Sequence, residues 1–579
     1  MTSRRIVIDP ITRIEGHLRI EVEVDEAGTV VQAISAGTQV RGIEIILRDR
    51  DPRDAWAFAQ RICGVCTLVH GLASVRAVED ALGVQVPPNA GLIRDLMVGA
   101  QMLQDHVVHF YHLQALDWVN PLHALAASPR DAALAADRLG CRESAVDDFA
   151  RVQQRVRDLM ASGQLGIFAN GWWDHPGYAL PPEIDLMVLS HYLEALAWQR
   201  EIGEVLAIFG GKNPHPNVTV GGAPCAITVD GRAPGGGDAT AVSLSGLMRV
   251  RQLIETMRSF VEGVYLPDLI AIGSHYRDWF TRGENVRNFM TYGDFAGAAG
   301  DHGFGVPRGA VLDRDLSQVH PVDLQDPDQI QEFVAHSWYS YQGGRNAALH
   351  PYAGETTFDY TGPPPPFERL DPGGTYSWLK APRWRGRPME VGPLARLVLL
   401  HAAGDAPAKA LTAETLGRLG LPFEAIYSTF GRILARGIES KLVVDRMSGW
   451  YDRLMANIAG GDLRTFNRDK WEPDSWPGLS RGIGTIEGPR GALAHWIVID
   501  GGRIANYQAV VPTTWNAGPV DDRGQHGPYE AALMDRHRLA VPAQPLEILR
   551  TIHSFDPCMA CAAHVFGPAG EEVVRVTIR

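Results

Sequence analysis

A mostly α (α+β) architecture, with a large multi-helix core and small peripheral antiparallel β-sheets, is expected from three features of the chain. Apolar residues recur at spacings of three and four through its middle. Period-two alternation is confined to segments near its two ends. Loops rich in glycine and proline separate the helical stretches. Taken in order, residues 17–24 alternate apolar and polar, Asp25-Glu26-Ala27-Gly28 supplies turn chemistry, and residues 29–34 resume the alternation, which predicts a hairpin. Leu92, Ile93, Leu96, Met97, Ala100, Leu103, Val107 and Phe110 share one helical face and predict a single amphipathic helix over 89–118. Further helices are expected over 143–161, 182–209, 239–264 and 422–458; the stretch 182–209 stops at Gly210-Gly211, a C-cap. Residues 234–237 and 362–387 read as loops. A second hairpin is expected from 495–499, the turn Asp500-Gly501-Gly502 and 504–511. No repeat, long charge run or linker marks a boundary, so the chain reads as one large unit.

Composition narrows the function classes. The 579 residues are 45% apolar and 21% charged, which excludes a disordered chain and allows a large core. The formal net charge of −13 argues against a nucleic-acid partner, which needs a basic face. No apolar run reaches the roughly 18 residues of a membrane span. Arg4 and Arg5 resemble the start of an export signal, but Ile6-Val7-Ile8-Asp9-Pro10 breaks off before an apolar region forms, so any export is expected to follow a partner's signal.

Cysteine carries the chemistry. Of six cysteines, Cys141 and Cys225 stand alone and read as small apolar fillers. The other four form two Cys-x-x-Cys pairs, Cys63/Cys66 and Cys558/Cys561, near opposite ends of the chain. Two intervening residues let both thiolates face one soft metal: zinc, copper(I), nickel or iron. Four thiolates are also the complement of one tetrahedral zinc, so a structural clasp is an open alternative. The size of the chain and the distance between the pairs count against that clasp, and a thioredoxin-like redox site needs one pair rather than two. Each pair has a following histidine, His70 and His564, of the kind that orients a metal ligand.

These motifs resemble the large subunit of nickel–iron hydrogenases. The resemblance rests on Arg61-x-Cys63-Gly64-x-Cys66-x-x-x-His70 and Asp556-Pro557-Cys558-x-x-Cys561-x-x-His564. It extends to the blocks 9–17, 41–44, 210–216, 376–384, 487–491 and 510–516, and so covers essentially the whole chain in order. It implies the fold of that family and the heterolytic, reversible cleavage of dihydrogen to protons and electrons at a thiolate-bridged nickel–iron centre whose iron carries carbon monoxide and cyanide. Cys63 and Cys558 would be the terminal nickel ligands, and Cys66 and Cys561 the bridges to iron.

The same resemblance assigns roles around the centre. Glu15 matches the proton-gate carboxylate, and burial raises a carboxyl pKa towards neutrality, which suits a relay. Arg490, after Pro489, matches the cation over the open metal face, with Asp105 and Asp556 as its counter-ions. Thr513 would hydrogen-bond a cyanide, and His70 would lie behind the thiolates. Glu44, the backbone carbonyl near Ala509, and His564 match a magnesium site built from hard donors. Val65 and Leu113 match the bottleneck of the gas channel. His106, His109 and His112 recur at every third position of one helix but read as a packed helix face rather than a metal stripe.

The resemblance further implies a catalytic unit over 1–564 and a C-terminal propeptide over 565–579, cut between His564 and Val565 by a maturation peptidase. Too few cysteines remain for an electron-transfer cluster, so an iron–sulfur small subunit is required, passing electrons to a membrane cytochrome b or another acceptor. Export with that subunit places the enzyme on the periplasmic side of the cytoplasmic membrane; a cytoplasmic location is the alternative. A hydrogen-sensing regulatory member of the same fold is the alternative function. Such members typically end at the last metal motif, whereas residues 565–579 follow it here. A cysteine-free quinone-module relative is excluded by the four thiolates.

Overall fold

The computed structural model describes residues 4–142, 145–163, 168, 171–229, 241–295, 305–363 and 369–562, with Cys561 and Ala562 described as backbone alone. The expected cut site, His564 and Val565, lies outside the described residues.

The first hairpin forms as expected and gains a third strand. Arg4–Ile8, Leu18–Val24 and Val30–Gly37 make an antiparallel sheet in that order. Its turn closes because the Asp25 carboxylate accepts from the Ala27 and Thr29 amides at 2.9 and 2.8 Å while Gly28 adopts φ 81°. On the polar face of the central strand, Arg19 and Glu21 are buried and Glu23 is half-buried. Arg19 donates to Glu21 at 2.7 Å, and Glu21 accepts from the Leu370 amide at 3.2 Å, so the charges enter the interior paired.

The late hairpin also has an extra strand: Leu479–Gly488, Gly491–Asp500 and Arg503–Val510 are antiparallel. Gly501 and Gly502, at φ 55° and 75°, make its second turn. The helix Val69–Leu82, not expected from the sequence, lies directly on the first of these strands. A Cβ at Gly484 would sit 1.8 Å from the Ala73 carbonyl oxygen, and one at Gly482 would sit 2.2 Å from that of Ala77, so glycine permits the contact. A further sheet pairs Ile330–Phe333 with Ala381–Trp384 and Ala348–Leu349.

The helical middle is as expected in place but not in continuity. The predicted helix over 89–118 is α over Pro88–Val108, then widens to a π turn at His109–Gln114 and tightens to 3-10 at Ala115–Asp117. The apolar face read from the sequence ends at Phe110, at the start of the π turn, and so carried no sign of the change of pitch. The stretch 182–209 is Pro182–Ile202 followed by Glu204–Gly210, capped by Gly211 at φ 76°. The stretch 239–264 begins at Leu244, capped by Ser243, and passes through a π turn at Val261–Tyr265 into Leu266–His275. Pro267 there leaves the Gly263 carbonyl without its helical donor, and the Arg142 amide supplies one at 2.7 Å. The stretch 143–161 is helical over Val146–Ala161, and 422–458 is a 3-10 turn at Phe423–Ile426 before Thr429–Ala459. Pro393–Ala402, Ala406–Leu419 and Leu546–Ser554 are further helices not expected. Among the described residues no helix is long and apolar enough to cross a membrane.

Candidate metal centre

Cys63 ends the 3-10 turn Gln60–Ile62 in an extended conformation, and its sulfur accepts from the Val65 and Cys66 amides at 3.3 and 3.1 Å. Such donors stabilise a thiolate. From the other end of the chain, Cys558 lies beside Glu15 in a parallel bridge: the Glu15 amide donates to Pro557 at 3.3 Å, and the Met559 amide to Glu15 at 2.7 Å. Gly16, at φ 82°, makes the approach possible, since a Cβ there would lie 2.5 Å from the Ala560 nitrogen. Arg41 ties the two loops together, donating to the Ile62 carbonyl and, at 3.2 Å, to that of Ala560. The result brings Cys558 Sγ to 3.3 Å from Cys63 Sγ and 3.8 Å from Cys66 Sγ. The three sulfurs lie within 4.8 Å of one another and are buried. The Cys561 side chain lies outside the described residues; its backbone is in the turn Met559–Ala562.

The expected acid and base groups surround these sulfurs. A Glu15 oxygen accepts from the Ala560 amide at 2.9 Å and meets Cys558 Sγ at 3.3 Å. Burial, reinforced by the Cys63 charge, pushes its carboxyl up to about 7. Arg490 projects from the two-residue turn Pro489-Arg490 between the strands Leu479–Gly488 and Gly491–Asp500. Its guanidinium pairs with Asp105 at 3.1 Å and Asp556 at 3.0 Å, both buried. Burial drives Asp105 up to about 7 against the Arg490 charge. Burial acts on Asp556 in the same sense, but Arg490, His109 and Arg436 hold it below the usual carboxylate range. Arg490 Nε is buried without a hydrogen-bond partner among the described residues. Such an orphan donor fits a ligand of the metal centre. Thr513 accepts from the Cys558 amide at 3.2 Å, which leaves its hydroxyl proton free to donate. Three soft thiolates, an unused cation donor and a hydroxyl donor fit a metal pair that carries small anionic ligands.

His70 is buried behind the loop, with Nδ1 3.1 Å from His495 Nε2, and His495 Nδ1 is 2.6 Å from the Tyr507 hydroxyl. Burial pulls His70 down to about 4, so it is neutral. Glu44 reaches the late sheet: it accepts from the Ala509 amide at 3.0 Å and from the Thr356 hydroxyl. Glu44, Glu332, Lys380, Tyr507 and Ala509 line a cavity of about 40 Å³. Its carboxylates suit a hard cation. Val65 is half-buried in the cysteine loop, and Leu113 is half-buried in the π turn with its carbonyl held by Arg13 at 2.7 Å. The histidine stripe disperses as expected of a packed face. His106 goes to Glu439 at 2.7 Å, His109 to the His553 carbonyl at 2.6 Å and His112 to that of Tyr192 at 3.2 Å. Burial pushes the Cys141 and Cys225 thiols up to about 12, in keeping with inert fillers. Sequence reasoning missed Arg41 as the tie between loops, and missed Arg396, whose five N–H groups bind Glu439 and the turn below Arg490. A lone arginine inside the apolar stretch 393–400 was the available signal.

Known proteins share the sequence and the fold. The profile of the nickel-dependent hydrogenases matches residues 41–564, and one described as HoxL-like matches 5–39. The uptake hydrogenase large subunit of Rhizobium leguminosarum bv. viciae is 50% identical over 589 aligned positions, spanning 100% of this chain and 98% of that protein. The hydrogenase-1 large chain of Escherichia coli K12 is 48% identical over the same shares. The crystal structure of the H2-activated [NiFeSe]-hydrogenase of Dm. baculatum superposes with a TM-score of 0.74 at 32% identity, covering 97% of this chain and 100% of that one. The thiolates of the two chain ends meet inside a fold shared along its whole length, and the chain belongs to the nickel-dependent hydrogenase family as a large subunit.

Proposed function

We infer that this chain is the catalytic subunit of an uptake hydrogenase that cleaves dihydrogen reversibly. The observation that carries this is the meeting of Cys63, Cys66 and Cys558 beneath Glu15 and Arg490. A nickel–iron pair held by Cys63, Cys66, Cys558 and Cys561 supplies the heterolytic splitting of dihydrogen and an exit for electrons. The protein supplies the rest. Glu15, in contact with the Cys558 sulfur, takes the proton outwards; a carboxyl held near neutrality accepts and releases it with little penalty. Arg490 fixes a positive charge over the sulfurs, and Asp105 and Asp556 orient it. On this reading Arg490 Nε and the Thr513 hydroxyl would donate to cyanide that the iron would carry beside carbon monoxide; the orphaned Nε supports the part of Arg490.

The same reading places magnesium with Glu44, the backbone at Ala509, and His564, supported by the carboxylates around the small cavity. Val65 and Leu113 are proposed to line the gas route. Large subunits of this family pair with a small subunit. We propose that this one is an iron–sulfur protein delivering electrons to a membrane cytochrome b, with the pair on the periplasmic side of the membrane. Residues 1–564 are proposed as the catalytic unit, and 565–579 as a segment that a peptidase removes. The test is elemental analysis with hydrogen oxidation on heterodimer from its own host. Nickel near one per heterodimer, iron in excess of it because the iron–sulfur subunit adds its own, and turnover are expected; zinc without nickel overturns the reading.

A further inference from the structure

Arg396 is fully buried in the helix Pro393–Ala402, and every one of its N–H groups has an acceptor. Nη1 donates to Glu487 at 3.0 Å and to the Gly488 carbonyl at 2.8 Å. Nη2 donates to the Pro489 carbonyl at 3.1 Å and to Glu439 at 2.7 Å, and Nε donates to Glu439 at 2.5 Å. Three of these acceptors are the consecutive residues that end in the turn carrying Arg490. With the Gly488 and Pro489 carbonyls both held, the peptide planes preceding Arg490 are fixed, and so is the direction in which its side chain leaves the backbone. Packing reinforces this: Gly491, at φ 129°, lies against the start of the Arg396 helix, and a Cβ on it would meet the Gly392 nitrogen at 2.5 Å. The other arm of the network leads to the counter-ion. The Glu439 oxygen that accepts from Arg396 Nη2 also accepts from His106 Nε2 at 2.7 Å, and His106 follows Asp105 in the chain. One guanidinium thus braces both partners of the 3.1 Å Arg490–Asp105 ion pair.

We propose that Arg396 is a positioning residue for hydrogen cleavage, acting through Arg490 by clamping its turn and, through Glu439 and His106, the helix that carries Asp105. The inference rests on the hydrogenase reading given above. Lysine at 396 keeps the charge but has three donors on one compact ammonium in place of five on a planar fork, and cannot serve all five acceptor contacts at once.

The test is a double-mutant cycle on nickel-loaded heterodimer: parent, Arg396→Lys, Arg490→Lys and the double variant, each assayed for nickel content and hydrogen oxidation. Arg396→Lys is expected to retain nickel and lose about 10- to 100-fold in turnover, the order expected when a catalytic group is displaced by about 1 Å. In the Arg490→Lys background the same change is expected to lower turnover by less than about twofold, because the two residues act as one unit. In the crystal structure of the Arg396→Lys heterodimer, Arg490 Nη1 is expected beyond hydrogen-bond reach of Asp105. Should the variant not assemble, Glu487→Gln enters the same cycle. It faces two donors, Arg396 and the Tyr292 amide, with one acceptor removed, so it loosens the turn more mildly. Equal losses in both backgrounds, parent-level turnover in the single variant, or an unmoved Arg490–Asp105 pair overturns the proposal. A nickel-loaded parent that does not oxidise hydrogen overturns the hydrogenase reading instead.

Discussion

Glu15 touches the Cys558 sulfur with the same oxygen that accepts from the Ala560 amide, so its carboxyl is held in one orientation against that sulfur. Glu15→Gln preserves shape and removes the acid. Hydrogen oxidation is expected to fall by about 10²-fold or more, with nickel content unchanged, when both are measured on the same heterodimer preparation. Arg490→Lys preserves charge and loses the fork between Asp105 and Asp556; an assembled enzyme is expected to lose about 10²–10³ in turnover. A third residue tests stability rather than chemistry. Asp117 is buried between Arg13 and His553, with His553 Nδ1 at 2.6 Å. Burial works to raise its carboxyl, but the Arg13 and His553 charges overcome this and hold it at about 2. A depressed folded-state pKa adds stability that is complete above the unfolded value near 3.8 and is lost as pH falls through about 2. Asp117→Asn is therefore expected to cost about 2 kcal/mol or more at neutral pH. In thermal unfolding the gap to the parent is expected to narrow only below about pH 4.

At the scale of elements, the cysteine loop is held through the helix on its C-terminal side. That helix, Val69–Leu82, begins three residues after Cys66 and is seated on the strand Leu479–Gly488, which in turn delivers Arg490. Gly484 permits that seating. Gly484→Ala puts a methyl 1.8 Å from the Ala73 carbonyl and forces helix and strand apart. Overpacking of this kind costs about 1–3 kcal/mol. Because the displaced elements carry Cys66 and Arg490, turnover is expected to fall beyond what unfolding explains, a comparison made by assaying well below the variant's melting temperature. Much of this level was legible in advance. Both hairpins and the long helices follow from periodicity, and the turn at 25–28 from its aspartate and glycine. The outer strands Arg4–Ile8 and Leu479–Gly488 were not read, since one borders an apparent export signal and the other is interrupted by Gly482 and Gly484.

For the whole molecule, the central event is closure of the two ends. Cys558 reaches Cys63 through the bridge to Glu15 and the Arg41 tie, both half-buried, and the sulfurs themselves are buried. On the proposed reading, residues 565–579, with four charged side chains, oppose that closure until metal is loaded. Intact-mass measurement of active heterodimer is expected to give a large subunit ending at His564; the mass of the full 579 residues in a turning-over enzyme would exclude processing.

Local pattern was enough for the mostly helical class and the paired thiolates, because spacing and residue type are properties of the chain itself; Glu15, Arg490 and its counter-ions were named through the family resemblance and not through pattern. Nearness was not. That Cys63 and Cys558 stand 3.3 Å apart, that Arg490 is shared by Asp105 and Asp556, and that Arg396 braces them all depend on segments remote in sequence. Such contacts form only when burial has removed water and left each buried charge to find a partner. The π turn at His109–Gln114 belongs with them: its pitch is set by the partners its side chains meet rather than by its own periodicity.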